Sequence, residues 1–249
     1  MISKAKSKFI KSLQVKKYRK QEQCFVVEGR KSVAELIHSD YETILLLATG
    51  DFLSGLAPSL LDGMEVVEVE AADLSGLGEF QSNDGALAVA RMKPVRHVDT
   101  GVGEWLLAVD DIRDPGNLGT IIRTADWYGI RNIIASETTA ELYNPKVINA
   151  SMGSFLRVGV YYTSLSGYLS TVAVPLVGAF LDGEDLHTCE FGASGILVIG
   201  NESNGISESV AALIRRRVTI PRYGGAESLN AGIATAEILD NIRRYQKKR

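Results

Sequence analysis

The chain has 249 residues, 45% of them hydrophobic and 23% charged, with a formal net charge of -3. That composition is ordinary for a globular protein and argues against disorder, and the length suits one large domain or two modest ones. No apolar run approaches a membrane span, and the basic start Met1-Ile-Ser-Lys-Ala-Lys-Ser-Lys8 has no apolar stretch behind it, so no signal peptide is expected.

In chain order, a basic helix is expected from Ser3 to Lys20, with Phe9, Ile10 and Leu13 on one side. Residues 1–31 hold ten Lys or Arg against two acids, Glu22 and Glu28. Such a cluster can meet phosphate even where the whole chain is acidic. Strands are expected at Cys24–Val27, Thr43–Ala48, Val66–Val69 and Ala86–Ala90, with a helix around Val33, Leu36 and Ile37 between the first two. From Arg91 to Gly103 the chain mixes Pro, Gly and charge without a period, which reads as a linker with a boundary near residue 95.

The second part restarts with a strand at Trp105–Val109. Asn117 is suited to cap a helix whose apolar face is Leu118, Ile121, Ile122 and Ala125, and Gly129 to end it. A strand at Asn132–Ala135 follows, and Asn144-Pro145 opens another helix. Further strands are expected at Val172–Phe180, Gly195–Ile199 and Val218–Ile220. Ser207 heads a helix to about Arg216, and the last helix begins near Ser228. Strands separated by helices imply an α/β architecture with a largely parallel sheet covered on both faces. The chain closes on a second basic cluster, Arg243, Arg244, Lys247, Lys248 and Arg249. Cys24 and Cys189 are expected to be buried, reduced thiols of a cytoplasmic protein, and with His38, His97 and His187 scattered no metal site is expected.

No Gly-x-Gly-x-x-Gly turn joins a strand to a helix, and there is no P-loop and no Gly-x-Ser-x-Gly elbow. Ordinary dehydrogenase, kinase and hydrolase readings lose their support. What remains are polar residues beside glycines at three strand-to-loop junctions. These are Asn117 to Gly129, Ile199-Gly-Asn-Glu-Ser-Asn-Gly205, and Ile220-Pro-Arg-Tyr-Gly-Gly-Ala-Glu-Ser-Leu-Asn230. In this order they resemble the motifs of the SpoU (TrmH-like) branch of knotted RNA methyltransferases. The first motif matches through Asp114-Pro115, Asn117, Gly119, Arg123, Ala125 and Gly129. The second matches through Gly200-Asn201-Glu202 and Gly205, the third through Ile220-Pro221 and Ser228-Leu229-Asn230. The resemblance covers roughly residues 104 to 245. Through Phe25-Val-Val-Glu-Gly-Arg30 and Asp84-Gly-Ala-Leu-Ala-Val89 the first part looks like the family's L30e-like extension. One departure is Asn149, which sits where family members often carry a basic residue.

The resemblance implies an α/β protein with an L30e-like RNA-binding domain over residues 1–95, a linker over 96–103 and a catalytic domain over 104–249. The catalytic domain is expected to hold a parallel sheet with a deep trefoil knot near its C-terminus. S-adenosyl-L-methionine is expected to bind in a bent form through backbone groups at Gly200, Ile220 and Leu229, with support around Ala179. The implied reaction is 2'-O-methylation of a ribose in structured RNA, rRNA favoured over tRNA, by a homodimer. Arg123, Glu202, Ser228, Asn230 and Asn117 are the implied catalytic residues.

The family proposal makes Arg123 a general base assisted by RNA phosphate. A guanidinium is hardly ever neutral in a protein, so Arg123 is better read as a phosphate clamp that stabilises charge on the 2'-oxygen. Glu202 is a candidate partner for Arg123, and Ser228 and Asn230 can hydrogen-bond the reacting hydroxyl. Asn117 either does the same or only caps its helix. Two alternatives stand beside the enzyme: a non-catalytic RNA-binding assembly factor on this scaffold, and an unrelated α/β enzyme. Intact Arg123, Glu202, Ser228 and Asn230 speak against the first of them.

Overall fold

A computed structural model describes residues 2–99 and 103–247; the expected linker residues 100–102 and the terminal Lys248 and Arg249 lie outside the described residues. The first elements are α1 (Lys4–Ser12), α2 (Lys16–Glu22), β1 (Cys24–Glu28), α3 (Arg30–Ile37), β2 (Thr43–Ala48) and α4 (Gly50–Ser54). Next come β3 (Glu65–Glu68), α5 (Ala71–Leu74), β4 (Ala86–Arg91), β5 (Trp105–Val109), α6 (Pro115–Trp127) and β6 (Asn132–Ser136). After these run α7 (Pro145–Ser151), β7 (Gly159–Thr163), α8 (Leu165–Leu169) and β8 (Leu176–Asp185). The chain ends with β9 (Gly195–Ile199), α9 (Glu208–Ala211), β10 (Arg216–Thr219) and α10 (Ala231–Lys247). One unit comprises Met1–Pro94 with Leu142–Leu156, the other Val95–Glu141 with Arg157–Arg249.

The first unit holds a four-stranded mixed sheet in the order β1-β4-β2-β3, with only the β2–β3 pair parallel. Ile10 and Leu13 of the N-terminal segment pack under it with Val26, Leu45, Leu47, Leu87 and Val89. The expected single basic helix is two. Arg19 is buried, and its guanidinium donates to the carbonyls of Leu13 and Gln14, each at 2.9 Å. It satisfies carbonyls that the end of α1 leaves open, so Arg19 belongs to the fold and is removed from the surface cations. Lys6 is likewise ion-paired, with Glu65.

Residues 142–156 close the other side of β1. Phe25 meets Tyr143 at 4.5 Å and Phe155 at 5.9 Å between ring centroids. Beside them the buried Glu28 carboxylate accepts from the backbone N–H of Glu79 at 2.9 Å and Phe80 at 3.2 Å, and from Asn149 Nδ2 at 2.9 Å. Asn149 is thus committed to a buried carboxylate inside this unit.

In the second unit six strands, all parallel, run in the order β10-β8-β9-β5-β6-β7. Every residue of β5 and β9 is buried, as a strand covered on both faces requires. On one face Leu106, Ala108, Ile196 and Val198 pack with Leu165 and Leu169 of α8 and with Val210 and Ile214. α6 and α10 pack so closely that a Cβ at Gly232 would lie 2.7 Å from Thr120 Cγ2. The end of α6 is closed by Arg243, whose Nε donates to the Tyr128 carbonyl at 2.8 Å. Arg244 turns to Asp240 and Asn241, so these two members of the C-terminal basic cluster work within the fold.

The strand expected from Val172 starts only at Leu176, as β8, just after Pro175, a residue with no N–H to give a ladder. Its pairing with β10 then jumps: Arg217 faces Gly178, but Val218 faces Glu184. Residues 179–183 therefore leave the ladder between two paired segments.

Candidate active site

The site is built where β5, β9 and β10 end, the place where parallel α/β sheets gather ligand-binding groups. At the end of β5, the buried Asp110 accepts the N–H of Ser207 at 2.8 Å. Asp111 adopts a positive φ of 58°; its N–H donates to Ser136 Oγ and its carbonyl accepts from Asn201 Nδ2, both at 2.8 Å. Its carboxyl is held below the usual carboxylate range, chiefly by the hydrogen bond from Arg113 at 2.8 Å. Two consecutive acids after an apolar strand thus hold the loop that follows β9.

That loop is tightly closed. Asn201 N–H donates to the Gly205 carbonyl at 3.0 Å and Gly205 N–H returns to the Asn201 carbonyl at 2.8 Å, while Asn201 Oδ1 accepts from the backbones of Ser203 and Asn204. A Cβ on Gly200 would lie 2.3 Å from the Gly205 carbonyl carbon. Glycine at 200 is required by this closure alone, with or without a ligand.

The cap of α6 is Asp114, whose Oδ1 accepts the Asn117 N–H at 2.8 Å, with Pro115 in the first turn. Asn117 is therefore not the cap, and its side chain is free to act elsewhere. Its Nδ2 donates to Glu202 Oε1 at 2.9 Å, and its Oδ1 accepts from Asn230 Nδ2 at 2.7 Å. Glu202 Oε1 also takes the N–H of Ala231 at 2.9 Å. Asn230 caps α10, its Oδ1 accepting from Gly232 at 2.9 Å and Ile233 at 3.3 Å. One residue from each of the three motif segments is tied into a single network.

Arg123 stands apart from it. Its side chain is exposed on α6 and has no hydrogen bond or ion pair with any described residue. The candidate Arg123–Glu202 pair does not form; Glu202 Oε1 accepts instead from Asn117 and Ala231.

A cavity of about 570 Å³ opens beside the network. Ala179, Gly200, Glu202, Ile220, Ser228 and Leu229 all line it; Arg123, Asn117 and Asn230 do not. Its floor is apolar, with the buried Ile199, Ile206, Val218 and Ile238. Ala179 enters the wall because residues 179–183 leave the β8–β10 ladder. Ser228 lines the cavity, and its hydroxyl has no partner among the described residues. Arg222 and Tyr223 also line it, and sequence reasoning assigned them no role although both lie inside the third motif. Volume, apolar floor and glycine-rich loops fit a nucleoside-sized ligand, since small-molecule sites run to ~300–1,000 Å³.

Fold and site together define a parallel α/β enzyme that gathers its polar residues around a nucleoside-sized cavity at the strand ends. The profile of the SpoU rRNA Methylase family matches residues 104–239, and that of the MRM3-like substrate binding domain matches residues 4–88. The chain belongs to the SpoU rRNA methylase family. It is 28% identical over 237 residues to the 23S rRNA (guanosine(2553)-2'-O)-methyltransferase RlmP of Bacillus subtilis, covering 94% of each chain. A TrmH-family protein from Porphyromonas gingivalis matches with a TM-score of 0.87 and 37% identity, over 98% of this chain and 99% of that one. The AdoMet-bound rRNA methyltransferase from Sinorhizobium meliloti matches with a TM-score of 0.88 and 28% identity, over 98% and 96%.

Proposed function

We propose that the protein methylates a ribose 2'-hydroxyl of ribosomal RNA with S-adenosyl-L-methionine, as a cytoplasmic homodimer whose catalytic part carries a trefoil knot. The observation that carries this reading is the meeting of the three motif segments around one cavity, tied by Asn117, Glu202 and Asn230. Ribosomal RNA is favoured because the Bacillus subtilis relative, aligned over 94% of each chain, acts on 23S rRNA. Residues 1–95 are assigned to RNA binding and 104–249 to catalysis. Lys4, Lys8, Lys11, Lys16, Lys17 and Lys20 are the cations offered to phosphate.

When bound, S-adenosylmethionine supplies an electrophilic methyl group for in-line displacement by the ribose oxygen. The segments around Ala179, Gly200, Ile220 and Leu229, which line the cavity, are the ones that would hold it. The Asn117–Glu202–Asn230 network fixes the loops relative to one another, which is the alignment an in-line transfer needs. Ser228, with its free hydroxyl, hydrogen-bonds the reacting 2'-hydroxyl. Arg123 clamps the adjacent phosphate and stabilises negative charge developing on the oxygen. Water or phosphate takes the proton.

The test has two parts. Calorimetry should detect S-adenosylmethionine binding to the free protein, and ribose-methylation mapping should show one rRNA site lost in a deletion strain. An unchanged rRNA methylation map, or a protein that binds no cofactor, would overturn the reading.

A further inference from the structure

Four charged side chains line the cavity: Asp182, Glu202, Arg222 and Glu227. Three are acids. Asp182 stands 3.6 Å from Arg217 Nη1, and Glu202 is held by Asn117 and Ala231. Among the described residues Arg222 is the sole cation lining the cavity. A guanidinium carries five N–H donors, yet among the described residues this one makes a single long contact, Nη1 to the Ala226 carbonyl at 3.4 Å within its own loop.

The charged part of the cavity lining is also separated from its buried part. Ile206, Val218 and Ile238 are buried at the floor, whereas Arg222 and Glu227 are exposed. We infer that Arg222 receives the carboxylate of the cofactor's amino-acid end, with the nucleoside on the apolar floor. The inference rests on the S-adenosylmethionine reading and adds the group that recognises that ligand's tail. The reverse orientation would press a carboxylate against buried aliphatics, which is costly without a partner. It would also leave the one cation facing a neutral base. A carboxylate at Arg222 instead replaces a 3.4 Å contact with a charge-assisted, two-pronged one. For the ammonium of the same tail the lining offers Glu227, which is exposed and has no partner among the described residues.

The test uses two ligands that differ in the tail. S-adenosylhomocysteine carries the amino acid; 5'-methylthioadenosine carries the nucleoside and thioether alone. Titrated calorimetrically into the full chain, Arg222→Ala should weaken S-adenosylhomocysteine about tenfold to a hundredfold, as loss of a charged hydrogen bond does. It should leave 5'-methylthioadenosine unchanged, and Arg222→Lys should recover part of the loss. Equal effects on both ligands, or none on either, would overturn the assignment. So would an Arg222→Ala protein that loses RNA affinity while keeping S-adenosylhomocysteine, since Arg222 would then serve a phosphate. If the unaltered protein binds neither ligand, the cofactor reading itself fails, and the inference with it.

Discussion

The side-chain amide of Asn230 donates to that of Asn117 at 2.7 Å, across 113 positions of sequence. The bond exists because Asp114, one turn earlier, takes the capping duty that Asn117 would otherwise perform. It also has a direction. Asn230 gives to Asn117, and Asn117 gives to Glu202, so reversing either amide would set two acceptors face to face.

That direction separates stability from activity at position 230. Asn230→Asp keeps a good cap for α10 and should hold its melting temperature close to that of the parent. It offers Asn117 an oxygen where a donor is needed, and turnover should fall tenfold or more. Asn230→Ala should lose the cap as well, at ~1 kcal/mol, and melt lower. Thermal melts beside single-turnover rates check both; full activity in the Asp variant would detach the network from the reaction.

Arg123→Ala should lose on the order of 10²–10³ in rate while its cofactor affinity stays put, because Arg123 does not line the cavity. Arg123→Lys should rescue poorly, since an ammonium cannot reproduce a fork-shaped contact with phosphate. A fully active Lys variant would mean that Arg123 supplies only generic charge.

The proposed cofactor wall is better probed at Ala179 than at Gly200. Gly200→Val drives its Cβ into the Gly205 backbone and should damage the loop itself, whatever the ligand. Ala179→Phe, on the stretch that leaves the β8–β10 ladder, should keep the fold and abolish S-adenosylhomocysteine binding by filling the cavity. Retained affinity in a folded Ala179→Phe protein would move the pocket elsewhere.

Both cysteines are free and buried, one in each unit. Burial pushes the Cys189 thiol up to about 11 and raises Cys24 as well. Only the thiolate attacks a disulfide reagent, and about one thiol in a thousand would be ionised at pH 8 for such a Cys189. Native protein should therefore leave Ellman's reagent colourless for many minutes, and denatured protein should titrate two thiols. Rapid reaction of either thiol in the native state would contradict the burial.

The strands were legible where an apolar run is cut off by glycine or polar residues. β2, β5 and β9 begin and end at the residues that bound those runs. Missed were β7, a half-buried strand of Val160, Tyr161 and Tyr162 with no continuous apolar core, and the short α8. The break between α1 and α2 was hidden because its cause is one buried guanidinium, and Arg19 reads in sequence as another surface cation. At the site, the three motif segments could be found by their glycines, yet their mutual bonds could not. Pro115 was the available signal that α6 starts before Asn117. Nothing local announces that the Glu202 carboxylate goes to Asn117 and Ala231 instead of Arg123, since that choice is made by tertiary packing.

The segment Leu142–Leu156 completes the first unit although β5, α6 and β6 of the second precede it in the chain. During synthesis, the first 94 residues therefore leave the ribosome with Phe25 packed on Tyr41 but lacking Tyr143 and Phe155, and with the Glu28 carboxylate one donor short, until those rings and Asn149 emerge. A chain ending at residue 141 should be cut by protease within residues 1–94, and one ending at 156 should resist there. Equal resistance would show that the earlier part matures unaided. Vectorial folding, one unit finished before the next begins, is closed to this protein by the order of its own segments.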